Sequence, residues 1–235
     1  DIFDSLEDND LNKLDDYVLR LNWTTNEKSM WSLKRIVEKR IEAAAKAKNP
    51  LYSSSDYWAL IADNNTVPKG LFQYICVLTF SRPRDIIKLL KYCSESISSP
   101  RLTLADVQAI EEEYSSWFYR EFRDEVQSFF PCWRNALNCI SEVAKGKERF
   151  DSNGEIHNWC IENKKTPLDV LKILFNYSVI GCINEKGRWI FKYKDEDYFD
   201  FMESYPYYCV HYGFCRKLRI PKSYDQTIIE VFRSY

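Results

Sequence analysis

The 235-residue chain carries 33 Lys and Arg against 35 Asp and Glu, a formal net charge of −2. That balance excludes a protein that coats nucleic acid with its whole surface. With 45% hydrophobic and 16% aromatic residues the chain is globular rather than disordered, and long enough for one large core or two small ones.

No apolar run reaches the roughly 18 to 20 residues of a membrane span. Asp1-Ile2-Phe3-Asp4 also lacks the basic-then-apolar layout of a signal peptide. A cytoplasmic protein with no membrane partner is expected. The first segment is acidic, with seven carboxylates against one lysine from Asp1 to Asp16, and Leu11, Leu14, Tyr17 and Val18 mark one brief helix. Thr24 and Glu27 form a capping box. Trp31, Leu33, Ile36, Val37, Ile41 and Ala44 follow at helical spacing, so a helix of about 20 residues is predicted, ended by Asn49-Pro50.

A polar connection from Leu51 to Gly70 holds one apolar piece, Tyr57 to Ile61. Two short helices, Leu71 to Phe80 and Asp85 to Cys93, flank an Arg82-Pro83-Arg84 turn. The Ser94–Pro100 loop bounds a first domain, 1–97. Thr103 and Asp106 cap a helix running through Ile110, Tyr114, Phe118 and Phe122 to Phe130, on the order of 40 Å long. Its Glu111-Glu112-Glu113 run reads as a solvated face, and Pro131 to Lys145 as a further helix.

The last third changes character. Ser152 and Glu155 cap a helix to about Asn163, and Thr166-Pro167 opens a second. Alternating residues on either side of Glu185-Lys186-Gly187 then signal a hairpin, Ile180 to Tyr193. Helix, helix, hairpin is the order of a winged helix. The expected fold is therefore mainly α: a helical lid-type bundle, then a helical and winged-helix (α+β) domain over 101–235 with a small β-hairpin.

Two groups of residues carry candidate chemistry. Arg82 and Arg84 beside a proline at a helix start suit an anion such as a nucleotide phosphate. Yet none of the six glycines falls in a GxxxxGK[ST] phosphate loop. A phosphate sensor without a cradle points to part of a larger nucleotide-binding protein, and Asp1 in place of an initiator Met fits a fragment. The other reading is a corner whose arginines pair with nearby carboxylates.

The second group lies in a basic stretch, Asn163 to Asp195, with seven cations against three carboxylates. Lys164, Lys165 and Lys172 would meet a nucleic-acid backbone, with Lys186, Arg188 and Lys192 on the wing. The helix from Thr166 to Ile180 offers only Asp169, Lys172, Asn176 and Ser178 to read bases, so any DNA binding should be weak and sequence-independent. The same module could serve packing or autoinhibition instead.

No catalytic or metal site is legible. The eight cysteines include no CxxC and the chain has only two histidines, so reduced, buried thiols are expected and no metal. Glu155 and His157 stand two apart on a helix and cannot form a dyad by spacing. His211, in the aromatic strand-like run Tyr207 to Tyr212, reads as a core residue.

Several runs, in order, resemble bacterial P-loop ATPases of the AAA+/STAND type. They are Asp1-Ile2-Phe3, Leu21-Asn22-Trp23 and Lys39-Arg40-Ile41; then Phe80 to Asp85; then Tyr114 to Trp117 with Glu121 and Asp124-Glu125; and finally Leu174 to Gly181 with Phe191-Lys192-Tyr193. The resemblance implies a helical lid and winged-helix region, with the Walker motifs upstream. It implies that Arg84, with Arg82 beside it, is the sensor-type arginine that reads bound nucleotide. ATP and Mg²⁺ would then belong to the full-length protein and its upstream ATPase core, with no cofactor in this chain, and antiphage defence is the implied setting. The alternative is a stand-alone winged-helix adaptor that binds nucleic acid, a partner protein or a second copy, without nucleotide.

Overall fold

A computed structural model describes residues 23, 32–63, 67, 70–97, 99–147, 149–151, 155–187, 189–193, 205 and 207–221. The first described helix, α1 (Leu33–Lys48), stops at Asn49 just before Pro50, as a residue preceding proline favours extended backbone. Its start differs from the sequence expectation. Ser32 is extended (φ −64°, ψ 130°) and gives no side-chain cap, so the helix begins at Leu33. The Thr24–Glu27 box lies outside the described residues.

Helix α2 (Trp58–Ile61) is a single turn that buries Trp58 edge-on against Phe72, ring centroids 5.2 Å apart. Phe72 belongs to α3 (Leu71–Val77), where every residue except Gln73 is buried. After a turn comes α4 (Pro83–Ser96), longer at both ends than Asp85 to Cys93. Pro83 occupies its first position, where a missing N–H costs no helical hydrogen bond.

The capping box at the next helix forms as expected. Thr103 Oγ1 accepts from the Asp106 N–H at 3.3 Å, and Asp106 Oδ2 accepts from the Thr103 N–H at 2.8 Å. Helix α5 (Leu104–Val126) follows, 23 residues and about 35 Å long. It stops short of Phe130 because Gln127 to Phe129 form turns. Val107, Ile110, Tyr114, Phe118, Phe122 and Val126 make its buried stripe.

Glu111 corrects the expected solvated face. Glu112 and Glu113 are exposed, but Glu111 is only 2% exposed. It sits one helical turn from Val107 and Ser115, inside the buried stripe, where the Tyr74 hydroxyl donates to one oxygen and Arg216 Nε to the other at 3.0 Å. A buried carboxylate needs such donors to offset its lost hydration.

Helix α6 (Trp133–Val143) packs on α7 (Glu155–Glu162), α7 on α8 (Pro167–Asn176), and α8 on strand β1 (Ile180–Ile183). Thr166 Oγ1 caps α8 by accepting from the Asp169 N–H. Strand β1 pairs antiparallel with β2 (Trp189–Ile190), closed by a turn in which Asn184 accepts from the Gly187 N–H at 2.9 Å. Gly187 has φ +75°, a conformation that side chains disfavour.

The expected two-stranded hairpin gains a partner. β3 (Tyr207–Val210), in the strand-like run before His211, pairs antiparallel with the other edge of β1. The sheet order is β2-β1-β3, and β1 is buried at all four positions. The fold is thus mainly helical with a small three-stranded antiparallel sheet.

One short helix joins the parts. α9 (Tyr212–Cys215) presses on α5 so closely that a Cβ on Gly213 would stand 2.6 Å from Phe118 Cε1 and 2.8 Å from the Leu78 carbonyl oxygen. Buried apolar side chains form one cluster from Leu33 to Ile220. All eight cysteines are free and six are buried. Burial pushes the Cys93 and Cys182 thiols up to about 12. Among the described residues, no helix is long and apolar enough to cross a membrane.

Candidate anion-binding groove

The Arg82–Arg84 corner starts from a tight turn after α3. Thr79 Oγ1 donates to the Cys76 carbonyl at 3.0 Å and accepts from the Ser81 N–H at 3.1 Å, while Ser81 takes φ +52°. Arg82, extended as the N-cap of α4, donates through Nε to Asp85 Oδ2 at 2.9 Å and lies over the Phe80 ring at 5.0 Å. Asp85 is fully buried. Burial raises its carboxyl above the ordinary carboxylate range, against the opposing pull of Arg82 and then Arg84.

Arg84 is held differently. Its Nη2 donates to Glu121 of α5, and its Nε lies 3.9 Å from Asp85 Oδ1. Both arginines therefore have carboxylate partners, yet the Arg84 side chain is 61% exposed. An exposed pair of this kind is worth about 0–1 kcal/mol, so a competing anion can displace it.

Arg84 stands on the wall of a groove of about 510 Å³ between α1, α4 and α5. Arg40 comes from α1, and Lys88 and Lys91 follow Arg84 on α4. Positions i, i+4 and i+7 share a helix face, so three cations line up over about 10 Å. Among the described residues, Glu121 is the one carboxylate in the lining. Trp117 of α5 adds a half-buried ring, 5.9 Å from both the Arg84 guanidinium and the Lys88 ammonium, and Ile87 adds an apolar side. Lys88 also lies over the Tyr92 ring at 4.7 Å, and Lys91 stands 3.8 Å from exposed Glu95. Sequence reasoning placed no role on Lys88, Lys91, Arg40 or Trp117. The basic i, i+4, i+7 row on α4 was the available signal.

The structure brings the candidates of the basic stretch together less closely. Lys164 and Lys165 occupy the α7–α8 turn, Lys172 lies along α8 and Lys186 in the hairpin turn, all exposed. Lys192 is half-buried beyond β2, and Arg188 lies outside the described residues. Asp169, Lys172 and Asn176 share the exposed face of α8. Ser178 is turned inward, its Oγ accepting from the Tyr193 N–H at 3.1 Å. That removes one of four side chains considered for base readout.

The two histidines sit in different surroundings. Glu155 and His157 are exposed. His211 is buried among Phe80, Phe118, Phe191 and Tyr193, and its Nδ1 accepts from the Gly213 N–H at 3.1 Å. Among the described residues, no three His, Cys, Asp or Glu side chains converge on a metal-sized site.

Residues 31–123 match the family model of the FunZ-associated C-terminal helical domain. The match spans less than half of the chain, and that description places this stretch among C-terminal helical domains. It runs past residue 97 into α5 and contains every side chain named in the groove, whereas α7, α8 and the sheet lie outside it. No curated protein and no solved structure matches the chain.

Proposed function

We propose that this chain is the regulatory and output portion of a P-loop ATPase, and that Arg84 reads the phosphates of bound nucleotide. The carrying observation is that an exposed, weakly held arginine shares a groove with three further cations. Arginine presents a planar fork to phosphate oxygens, and the lysines add point charge. Among the described groove residues, Glu121 alone could ligate Mg²⁺, so the metal would be held chiefly by the ATPase core.

A route from this corner to the sheet supports the output part of the reading. Phe80, two residues before Arg82, packs on Phe118 at 4.3 Å, His211 at 4.9 Å and Tyr193 at 5.4 Å. A ligand that pulls Arg84 from Glu121 would shift α4 relative to α5. Movement of α4 would reach the β3–α9 corner through these rings. In the full-length protein, Arg84→Ala should lower nucleotide-dependent activity several-fold and change stability by less than about 1 kcal/mol. Unchanged activity, or a large drop in melting temperature without nucleotide, would remove this reading.

A second reading rests on the exposure of Lys164, Lys165, Lys172 and Lys186. These residues suit weak binding to a DNA backbone, which should fall steeply with salt and ignore sequence. A low-salt titration with unrelated duplexes tests it, and absence of a shift would leave the winged-helix region as a packing or protein-contact module.

A further inference from the structure

We infer that the α1–α4–α5 groove takes a whole nucleotide, with the base laid on Trp117 and the phosphates along Arg84, Lys88 and Lys91. This deepens, and rests on, the phosphate-reading role of Arg84. Among the described residues, four cations against one carboxylate select an anion of several charges. Among the described residues, no carboxylate is paired with Arg40 or Lys88, whereas Arg84 meets Glu121 and Lys91 meets Glu95.

Charge alone would fit inorganic polyphosphate equally well, but the rest of the lining does not. Trp117 and Ile87 contribute apolar surface to the same groove as the cations. A bare phosphate chain gains nothing from an indole, whereas a nucleobase stacks on it. Arg84 and Lys88 lie over the Trp117 ring, each 5.9 Å from its centroid, so a base that takes their place on that face sets its first phosphate beside the cationic ends it displaces. Lys91, one turn farther along α4, then meets the outer phosphates, and Arg40 closes on them from α1. The volume falls within the roughly 300–1,000 Å³ of small-molecule sites.

A single-stranded nucleic acid offers the same chemistry of base beside phosphate. The groove favours the mononucleotide, because among the described residues Trp117 is the one aromatic ring in its lining. Strand-binding sites instead set successive rings under successive bases.

Calorimetric titration of the chain at low salt with ATP, sodium tripolyphosphate and an eight-residue oligo(dT) tests the assignment. The unmodified chain should bind ATP about fivefold or more tightly than tripolyphosphate, the contribution of one stacked base. Trp117→Leu should bring ATP down to the tripolyphosphate level and leave tripolyphosphate unchanged. Lys88→Ala with Lys91→Ala should weaken both. Equal affinity of the unmodified chain for ATP and tripolyphosphate would overturn the base platform while leaving phosphate reading by Arg84 intact. Tighter binding of oligo(dT) than of ATP would overturn the mononucleotide assignment, and no binding of either ATP or tripolyphosphate would overturn the groove as a nucleotide site, with phosphate reading by Arg84 then decided by Arg84→Ala in the full-length protein. Because Trp117 also packs on Tyr114, its variant could fail to fold, but the comparison on the unmodified chain decides without it.

Discussion

The groove between α1, α4 and α5 and the α7–α8–hairpin region are both basic, but they hold their cations in opposite ways. In the groove, Arg40, Arg84, Lys88 and Lys91 come from two helices and line one cavity with an indole from a third. In the hairpin region, Lys164, Lys165, Lys172 and Lys186 are dense in sequence but stand on two turns and a helix surface. Charge counted along the chain and charge gathered in space are different quantities. Only the second makes a concave site, because a field is focused where cations share low-dielectric walls.

The sharpest way to break this comparison is to cut the aromatic joint between the two regions. Phe118 touches Phe80, Phe214 and His211. Phe118→Ala should cost about 3–5 kcal/mol, read as a fall in the urea midpoint. One cooperative transition should shift as a whole; two separated transitions would mean that the groove and the sheet fold independently. Gly213→Ala attacks the same joint by overfilling it, against the backbone oxygen of Leu78 and the Phe118 ring. It should cost about 1–3 kcal/mol.

A smaller effect is confined to the helix that carries Trp117 and Glu121. Thr103→Ala removes half of the α5 capping box and should cost about 1 kcal/mol. The hydrogen bond from the Thr103 hydroxyl, opposed by partial burial, holds the Asp106 carboxyl below its ordinary 3.8. Its contribution to stability is therefore present above 3.8 and is lost as pH falls through the lower folded-state value. Urea unfolding at neutral and acid pH should show this loss in the parent and not in Asp106→Asn.

The smallest effect should come from the other region. Lys165→Ala and Lys172→Ala should each change stability by within about 0.5 kcal/mol, because exposed lysine side chains contribute little. A larger loss in thermal melts would mean that this basic stretch is built into the fold more tightly than its exposure implies.

Local signals were read correctly where the physics is local. Thr103 with Asp106, Thr166 before Pro167, the Asn49-Pro50 stop and the Gly187 turn each act within about four residues, and each appears where expected. Expectation failed at Glu111, whose neighbours Glu112 and Glu113 suggested solvent although its spacing from Val107 placed it in the buried stripe. It was incomplete at the sheet, because β1 and β3 are joined by pairing between Gly181 and Cys209, residues far apart in the chain. Arg82 and Arg84 were singled out together, but only the structure separates them. Arg82 is engaged with buried Asp85 and the Phe80 ring, while Arg84 reaches the groove.

The sequence by itself determined the helical class, the helix boundaries at Asn49-Pro50, Thr103 and Thr166-Pro167, and the arginine corner, because caps, prolines and apolar periodicity act over one or two turns. Only the tertiary structure decided which cations meet. Arg40, Arg84, Lys88, Lys91, Trp117 and Glu121 lie on three helices, and it is the packing of those helices that gathers them around one groove. That packing is set by the shared apolar core, and no spacing within a single segment encodes it.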